Sequence, residues 1–206
     1  MTEIDAEIVL LRHGSTEWSA VGKHTGRTDI PLTTEGEQQA KGAAAELVGF
    51  HFGVALASPL ARASRTAELA GLADVELEPN LMEWDYGGYE GLTTAQIREQ
   101  KPGWLLWRDG VVAGPSGNGE TAADVGSRAD RVIARIMPVL ESQSGQSRDV
   151  VLVSHGHMLR VLAARWLGLS PAAGGYFALD TASISVLGFE HGQRVIRRWN
   201  QTPDER

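Results

Sequence analysis

The chain contains no cysteine, which excludes disulfides, thiolate nucleophiles and every cysteine-based metal site. Nor is there an excess of positive charge. Lys and Arg number 19 against 26 Asp and Glu, for a formal net charge of −7, which argues against a nucleic-acid-binding surface. No uninterrupted apolar run approaches a membrane span, and Met1–Ala6 carries acids where a secretory signal is basic. Linkers, low-complexity tracts and repeat arrays are also missing. A length of 206 residues with 42% hydrophobic content suits one domain, 1–206, with a substantial core.

Against these absences, two short stretches stand out. Ile8-Val9-Leu10-Leu11 is an apolar run without polar alternation that ends in Arg12-His13-Gly14, and Val150-Val151-Leu152-Val153 ends in Ser154-His155-Gly156. Such runs suit strands buried on both faces of a parallel sheet. In open α/β sheets ligands bind beyond the carboxyl ends of the strands, so the pattern predicts two imidazoles side by side at one sheet edge. Gly14 is read as freeing the backbone for a sharp turn.

The remaining pattern alternates strands and helices. A polar loop, 15–31, leads to a helix through about Leu47, with Thr34 and Glu37 spaced as a capping box. Val54–Ala57 reads as a second buried strand. Ser58-Pro59 reads as a helix start with Ser as N-cap, placing Arg62 near the same sheet edge. Val75–Leu77 is a third strand. The segment 81–118 differs in character, with three Trp, two Tyr and many Gly. It contains a short helix capped by Thr93 and Gln96, and reads as an inserted lid or pocket wall whose aromatics mostly pack the core. From Glu120 to about Leu140, Val125, Val132, Ile133, Ile136 and Leu140 recur at helical spacing, with Pro138 expected to kink or end the helix. A helix over 156–167 follows the second His-Gly strand. Ser183–Phe189 and Arg194–Trp199 around His191-Gly192 read as an antiparallel hairpin on the sheet edge.

Arg12, His13, Arg62 and His155 converging on one edge make a pocket for a compact dianion. Arginine holds phosphate through its planar, permanently charged fork. A neutral imidazole there can attack phosphorus, with the cations stabilising the transferring group. An alkoxide leaving group needs a proton, for which Glu83 at the start of the aromatic segment is placed, with Asp85, Glu90 and Glu120 as competing acids. The helix after Gly156 is expected to turn backbone N–H groups toward the anion. His155-x-His157 has no third ligand at metal-site spacing, so neither metal nor cofactor is expected. His157 is left between pocket lining and solvent, Glu120 is expected to orient a basic group, and His24, His51 and His191 receive no role. Lys23 and Arg27 are read as solvated or as meeting a substrate tail.

In order, the motifs are strand–Arg-His-Gly, Ser-Pro-x-x-Arg, Glu-x-x-Tyr-Gly-x-x-Glu-Gly, Gly-x-Gly-Glu-Thr and strand–Ser-His-Gly. From Ile8 to about Leu167 the chain resembles the histidine phosphatase superfamily, the phosphoglycerate-mutase-like group, and within it the small actinobacterial-type acid phosphatases. The resemblance implies a three-layer α/β/α fold around a mostly parallel sheet with an antiparallel edge. It implies His13 as the phosphorylated nucleophile, Arg12, Arg62 and His155 as phosphoryl ligands, Glu83 as proton donor and then base, and Thr16 as a hydroxyl commonly touching phosphate. Ser15 replaces the usual Glu or Gln, and Ser19 a frequent phosphate-contacting Asn, so that Ser19 reaches phosphate only through water.

The expected activity is metal-independent, acid-phosphatase-like hydrolysis of small phosphorylated metabolites in the cytoplasm, with an acidic to mildly acidic optimum. The alternative is a bisphosphoglycerate-dependent mutase. Mutases of the family carry adjacent arginines after a lid Trp, where this chain reads Trp107-Arg108-Asp109, which favours a phosphatase. A third possibility is a phospholigand-binding protein without turnover. No second cationic subsite is evident, so broad specificity is expected. Either the edge hairpin or the apolar segment can support a homodimer.

Overall fold

The computed structural model describes residues 4–115, 117–142 and 148–203. Its framework is a six-stranded sheet. In chain order the elements are β1 (Ile8–Arg12), α1 (Glu17–Ala20), α2 (Thr34–Glu46), β2 (Phe52–Ala57), α3 (Ala61–Leu69) and β3 (Glu76–Leu77). These are followed by α4 (Thr94–Gln100), α5 (Leu106–Asp109), α6 (Ala122–Leu140), β4 (Asp149–Ser154), α7 (Gly156–Trp166), β5 (Ile184–Glu190) and β6 (Gln193–Gln201). Single 3₁₀ segments span Pro79–Leu81 and Pro171–Tyr176.

Strand order is β3-β2-β4-β1-β5-β6. The pairs β1/β4, β4/β2 and β2/β3 are parallel, while β1/β5 and β5/β6 are antiparallel. The period-two alternation of strand side chains sorts the core into two layers. Ile8, Leu10, Leu56, Val150 and Leu152 face α6 and α7 with Trp84, Trp104 and Trp166. Val9, Leu11, Ala55, Ala57, Val151 and Val153 face Ala43 and Leu47 of α2 and its end, and Ala63 and Ala67 of α3. The outcome is the expected three-layer arrangement. All four residues of Val150–Val153 are fully buried, which is why neither central run shows polar alternation.

Several local expectations shift. The N-cap of α2 is Thr33, whose hydroxyl accepts from the Gly36 N–H, one residue before the expected Thr34. Helix α3 begins at Ala61 after Leu60, with no side-chain cap; Ser58 lies two residues before the cap position, and its hydroxyl accepts the Leu60 N–H at 3.3 Å while also meeting the site described below. Helix α6 begins at Ala122, two residues later than Glu120, capped by a Thr121/Asp124 capping box. Pro138 lies inside α6 without ending it. Gly14 is required for space rather than torsion: a Cβ there would stand 2.2 Å from the Gly36 carbonyl oxygen, and its φ is not positive.

Candidate active site

Sheet register creates the site. β1 and β4 pair with Arg12 opposite Ser154, so the next residue of each strand, His13 and His155, emerges beside the other. The ladder is closed by His13 N–H donating to the Ser154 carbonyl at 2.9 Å. The two rings meet edge to face, centroids 5.1 Å apart. β2 supplies a third neighbouring end, with Ser58 N–H donating to the Val153 carbonyl at 2.9 Å.

Hydrogen bonds fix opposite tautomers on the two rings. His13 Nδ1 lies 2.7 Å from the Gly14 carbonyl, which can only accept, so Nδ1 carries the hydrogen and Nε2 carries the lone pair. His155 Nδ1 is 3.1 Å from Arg62 Nε–H, which can only donate. The hydrogen of His155 therefore sits on Nε2, donating to Ser58 Oγ at 2.7 Å. Burial, with the charges of Arg62 and Arg12 close by, holds the His13 pKa well below the ordinary imidazole range. Burial, Arg62 and His13 do the same to His155. Both rings are neutral at mildly acidic pH.

The arginines are held differently. Arg62 is fully buried and donates to the carbonyls of Thr25, Gly26 and Thr28 at 3.1, 2.9 and 3.0 Å. It thereby ties the first loop to the strand ends. Arg12 donates through Nη1 to the Leu179 carbonyl, while its Nε is the buried side-chain nitrogen left without a partner among the described residues. A buried unpaired N–H on a cation is what an anion site needs. The absence of a side chain on Gly156 makes room for it, since a Cβ there would stand 3.3 Å from Arg12 Cζ.

A cavity of about 270 Å³ opens over this edge, lined by Arg12, His13, Ser19, Lys23, His24, Glu83, Tyr86, Thr94, Gly156, His157 and Arg160 among others. Of the expected site residues, Arg12, His13, Ser19 and Glu83 line it. His155 stands against the His13 ring and is bonded to Arg62, and Thr16 is buried at the N-cap of α1, bonded reciprocally with Ser19. A larger cavity of about 590 Å³ lies at the opposite end of β2. It is lined by small and apolar residues of 44–55 and 70–73 together with His51, Asp74 and Glu76, and holds none of the residues grouped at the strand ends.

Glu83 is the acid of the cavity. Its oxygens accept from the backbone N–H groups of Trp84, His157 and Met158 at 2.9, 3.0 and 2.9 Å. The N–H groups at the start of α7 were expected to face the anion; those of His157 and Met158 instead hold the carboxylate. The competing acids are otherwise engaged. Glu90 accepts from Gly26, Arg27 and Thr28 N–H, clamping the loop that Arg62 also holds. Asp85 Oδ1 accepts from Gly87 N–H. Glu120 forms a two-point ion pair with Arg128 at 2.7 and 2.8 Å, and Arg128 in turn donates to the carbonyls of Met82 and Glu83. Glu120 thus orients a basic group, as expected, and that group fixes the backbone beneath Glu83.

Sequence reasoning missed two wall residues, His24 and Arg160, and left His157 and Lys23 open; all four line the cavity. His24 packs on Tyr86 and Trp104, and burial lowers its pKa to about 4. His157 hydrogen-bonds Tyr86 OH at 2.7 Å. Arg160, on α7, and Lys23 are the two further cations that line the cavity beside Arg12. Only the Arg160 position was signalled, by its spacing on a helix leaving the site; the first loop folds against Leu92 and Gly91 through contacts no pattern encodes. Among the described residues no three His, Asp or Glu side chains are grouped as metal ligands are.

An open sheet with paired imidazoles, an unpaired arginine N–H and a carboxylate at its carboxyl edge defines a phosphoryl-handling α/β protein. The chain matches the Histidine phosphatase superfamily (branch 1) over residues 8–202. It is 48% identical over 192 residues to an acid phosphatase of Mycobacterium tuberculosis, covering 92% of this chain and 89% of that protein. It is 32% identical over 197 residues to a probable phosphoglycerate mutase of Salmonella choleraesuis, covering 94% and 89%. A solved structure of a Mycobacterium tuberculosis open reading frame superposes with a TM-score of 0.87 at 45% identity, covering 97% and 99%. The chain belongs to the histidine phosphatase superfamily, and it is a phosphatase. No helix among the described residues is long and apolar enough to cross a membrane.

Proposed function

We propose that the protein is a metal-independent phosphomonoesterase acting on small phosphorylated metabolites through a phosphohistidine on His13, with the whole chain working as one domain and 81–118 as its pocket wall. The observation that carries this reading is the His13 tautomer. Its Nδ1–H is committed to the Gly14 carbonyl, so the Nε2 lone pair is the nucleophile. Nε2 attacks phosphorus, the ester P–O bond breaks, and the departing oxygen takes a proton from Glu83. Water then attacks the phosphohistidine, returning its proton to Glu83 and releasing inorganic phosphate and neutral His13. Arg12 meets the phosphoryl oxygens through its unpaired Nε–H, and Arg62 adds positive charge from the sheet side. His155 Nε2–H exchanges its bond to Ser58 for a phosphoryl oxygen. Ser19 reaches the group through water, and Thr16 holds Ser19 in place.

The mutase reading has one specific argument against it. Arg108 is bound to Asp109 at 2.8 Å and to the Gly103 carbonyl at 2.7 Å, and it does not line the cavity. The test is phosphate release from a panel of phosphomonoesters in EDTA, beside a bisphosphoglycerate-dependent mutase assay. Release that survives EDTA and is lost in His13→Ala is expected. Isomerisation of phosphoglycerate with little phosphate release would make the protein a mutase.

A further inference from the structure

We propose that Asn200, on the edge strand β6, is a positioning residue for Arg12: through Asp180 it holds the carbonyl that aims the Arg12 guanidinium at the phosphoryl group. This rests on the phosphatase reading of the strand-edge cavity and gives the edge hairpin a part in it.

The two arginines at the strand ends are held very unequally. Arg62 donates to three loop carbonyls and to His155, so its orientation is over-determined. Arg12 makes one side-chain hydrogen bond among the described residues, from Nη1 to the Leu179 carbonyl. The aim of its buried, unpartnered Nε–H therefore depends on where that carbonyl stands. Leu179 lines the cavity and begins a turn that also grips the backbone of the β1 end. Ala182 N–H donates to the His13 carbonyl at 3.1 Å, and Arg12 N–H donates to the Ser183 carbonyl at 3.2 Å. Ala182 is fully buried with a φ of +55°. A non-glycine residue keeps that conformation only where surrounding contacts impose it.

A bulge in the edge hairpin supplies such contacts. In the β5/β6 ladder Ile184 faces Gln201 and Val186 faces Arg198, so Ser185 stands alone against Trp199 and Asn200. A bulge re-aims side chains that regular pairing would send elsewhere. Asn200 takes a φ of +57° there, which asparagine adopts more readily than most residues, and its N–H donates to Ser185 Oγ at 2.9 Å. Its side chain meets Asp180 at two points. Oδ1 accepts the Asp180 N–H at 2.6 Å, and Nδ2 donates to Asp180 Oδ2 at 2.7 Å. Trp199 adds to the hold, its Nε1–H donating to the Ala178 carbonyl at 2.6 Å and its ring centre 5.2 Å from that of Phe177. The residues on both sides of Leu179 are thus pinned to β6, although no residue of β5 or β6 lines the cavity.

The test is a double-mutant cycle on the full-length protein, read as kcat/KM for p-nitrophenyl phosphate and as inhibition by inorganic phosphate. Asn200→Gly keeps the left-handed backbone and deletes both side-chain bonds. It should lower kcat/KM and weaken phosphate inhibition by about tenfold, the scale of loss when a contact to the reacting group is misplaced. In an Arg12→Lys background no guanidinium remains to be aimed, and the same change should cost less than about twofold. Asp180→Ala should repeat the pattern at smaller size. Asp180→Asn, whose amide oxygen still accepts from Asn200, should stay within about twofold of wild type. If Asn200→Gly does not fold, the cycle is read with Asp180→Ala. A loss of equal size in both backgrounds overturns the proposal, as does a lower kcat with phosphate inhibition unchanged; either makes Asn200 a brace of the fold alone. Absence of phosphate release by the wild type, or release unaffected by His13→Ala, defeats the phosphohistidine reading itself. Release that requires His13 but ignores Asn200→Gly and Asp180→Ala defeats only the positioning role.

Discussion

The ends of β1 and β4 share a sequence pattern, a buried apolar run closed by His-Gly, yet they deliver opposite chemistry. At the end of β1, His13 gives its Nδ1–H to the Gly14 carbonyl and keeps a lone pair on Nε2. At the end of β4, Arg62 forces the lone pair onto His155 Nδ1, and Nε2 becomes a donor to Ser58. One end presents a ring-nitrogen lone pair and the other a hydrogen-bond donor. Each ring is set by a neighbour whose role is unambiguous, a carbonyl that only accepts and a guanidinium that only donates. Residue identity at a strand end therefore does not define the role; the partner of the second ring nitrogen does.

The most severe way to break this comparison is to remove the lone pair. Asn at either position keeps polarity but supplies no imidazole. His13→Asn should lower turnover about 10⁴-fold or more and abolish acid-labile covalent labelling by phosphate ester. Under the same conditions His155→Asn should still label, with turnover down about 10²–10³-fold, the loss typical of one donor to a developing charge. Equal labelling loss in both variants would show that the two rings are not distinguished.

The next largest effect falls on Glu83, which belongs to the β4 end because its carboxylate accepts the His157 and Met158 N–H groups at the start of α7. Glu83→Gln should cost about 10²–10⁴-fold on alkyl esters and much less on p-nitrophenyl phosphate, whose leaving group needs little protonation. The pH profile tests the β1 end. Since the His13 pKa is held well below the ordinary imidazole range, the neutral nucleophile persists as pH falls through 6.5, and no loss of rate is expected there. A wild-type rate that falls as pH drops through 6.5 would sink that assignment.

How much of this was readable without coordinates follows from the same distinction. The strand ends were legible because burial on both faces leaves an unbroken apolar signature and register places equal positions of parallel neighbours together. The edge hairpin was legible from its alternation around His191-Gly192, whereas Glu83, which lines the cavity, was picked out by the need for an acid beside the aromatic segment and by the resemblance. The tautomers were not, because Gly14 O, Arg62 and Ser58 act across strands. Ser58 looked like a cap since Ser-Pro is a common helix start; the helix begins two residues later than that reading placed it, and the Ser58 hydroxyl accepts from both Leu60 N–H and His155. His24 was illegible as a wall residue, and Lys23 undecided, because the first loop is placed by Glu90 and by backbone bonds to Gly91 and Leu92. Such contacts carry no periodicity.

The subtlest effect is expected at Ser58, and it tests whether His155 changes partners. Ser58 Oγ accepts the His155 Nε2–H at 2.7 Å, and both residues are fully buried. In Ser58→Ala the free enzyme keeps a buried N–H with no acceptor, a cost of about 1–3 kcal/mol. When phosphate is bound, the same N–H donates to a phosphoryl oxygen in wild type and variant alike, so the cost disappears. Ser58→Ala should therefore melt at a lower temperature than wild type without ligand and recover most of the difference in saturating phosphate. By linkage it should bind inorganic phosphate more tightly, by about tenfold for each 1.4 kcal/mol regained, with turnover changed little by comparison with His13→Asn. If phosphate leaves the deficit in melting temperature unchanged, the His155 N–H never leaves Ser58. The β4 imidazole would then be a brace between Arg62 and Ser58, and the donor role assigned to that strand end would have to pass to Arg12 and the backbone of Gly156.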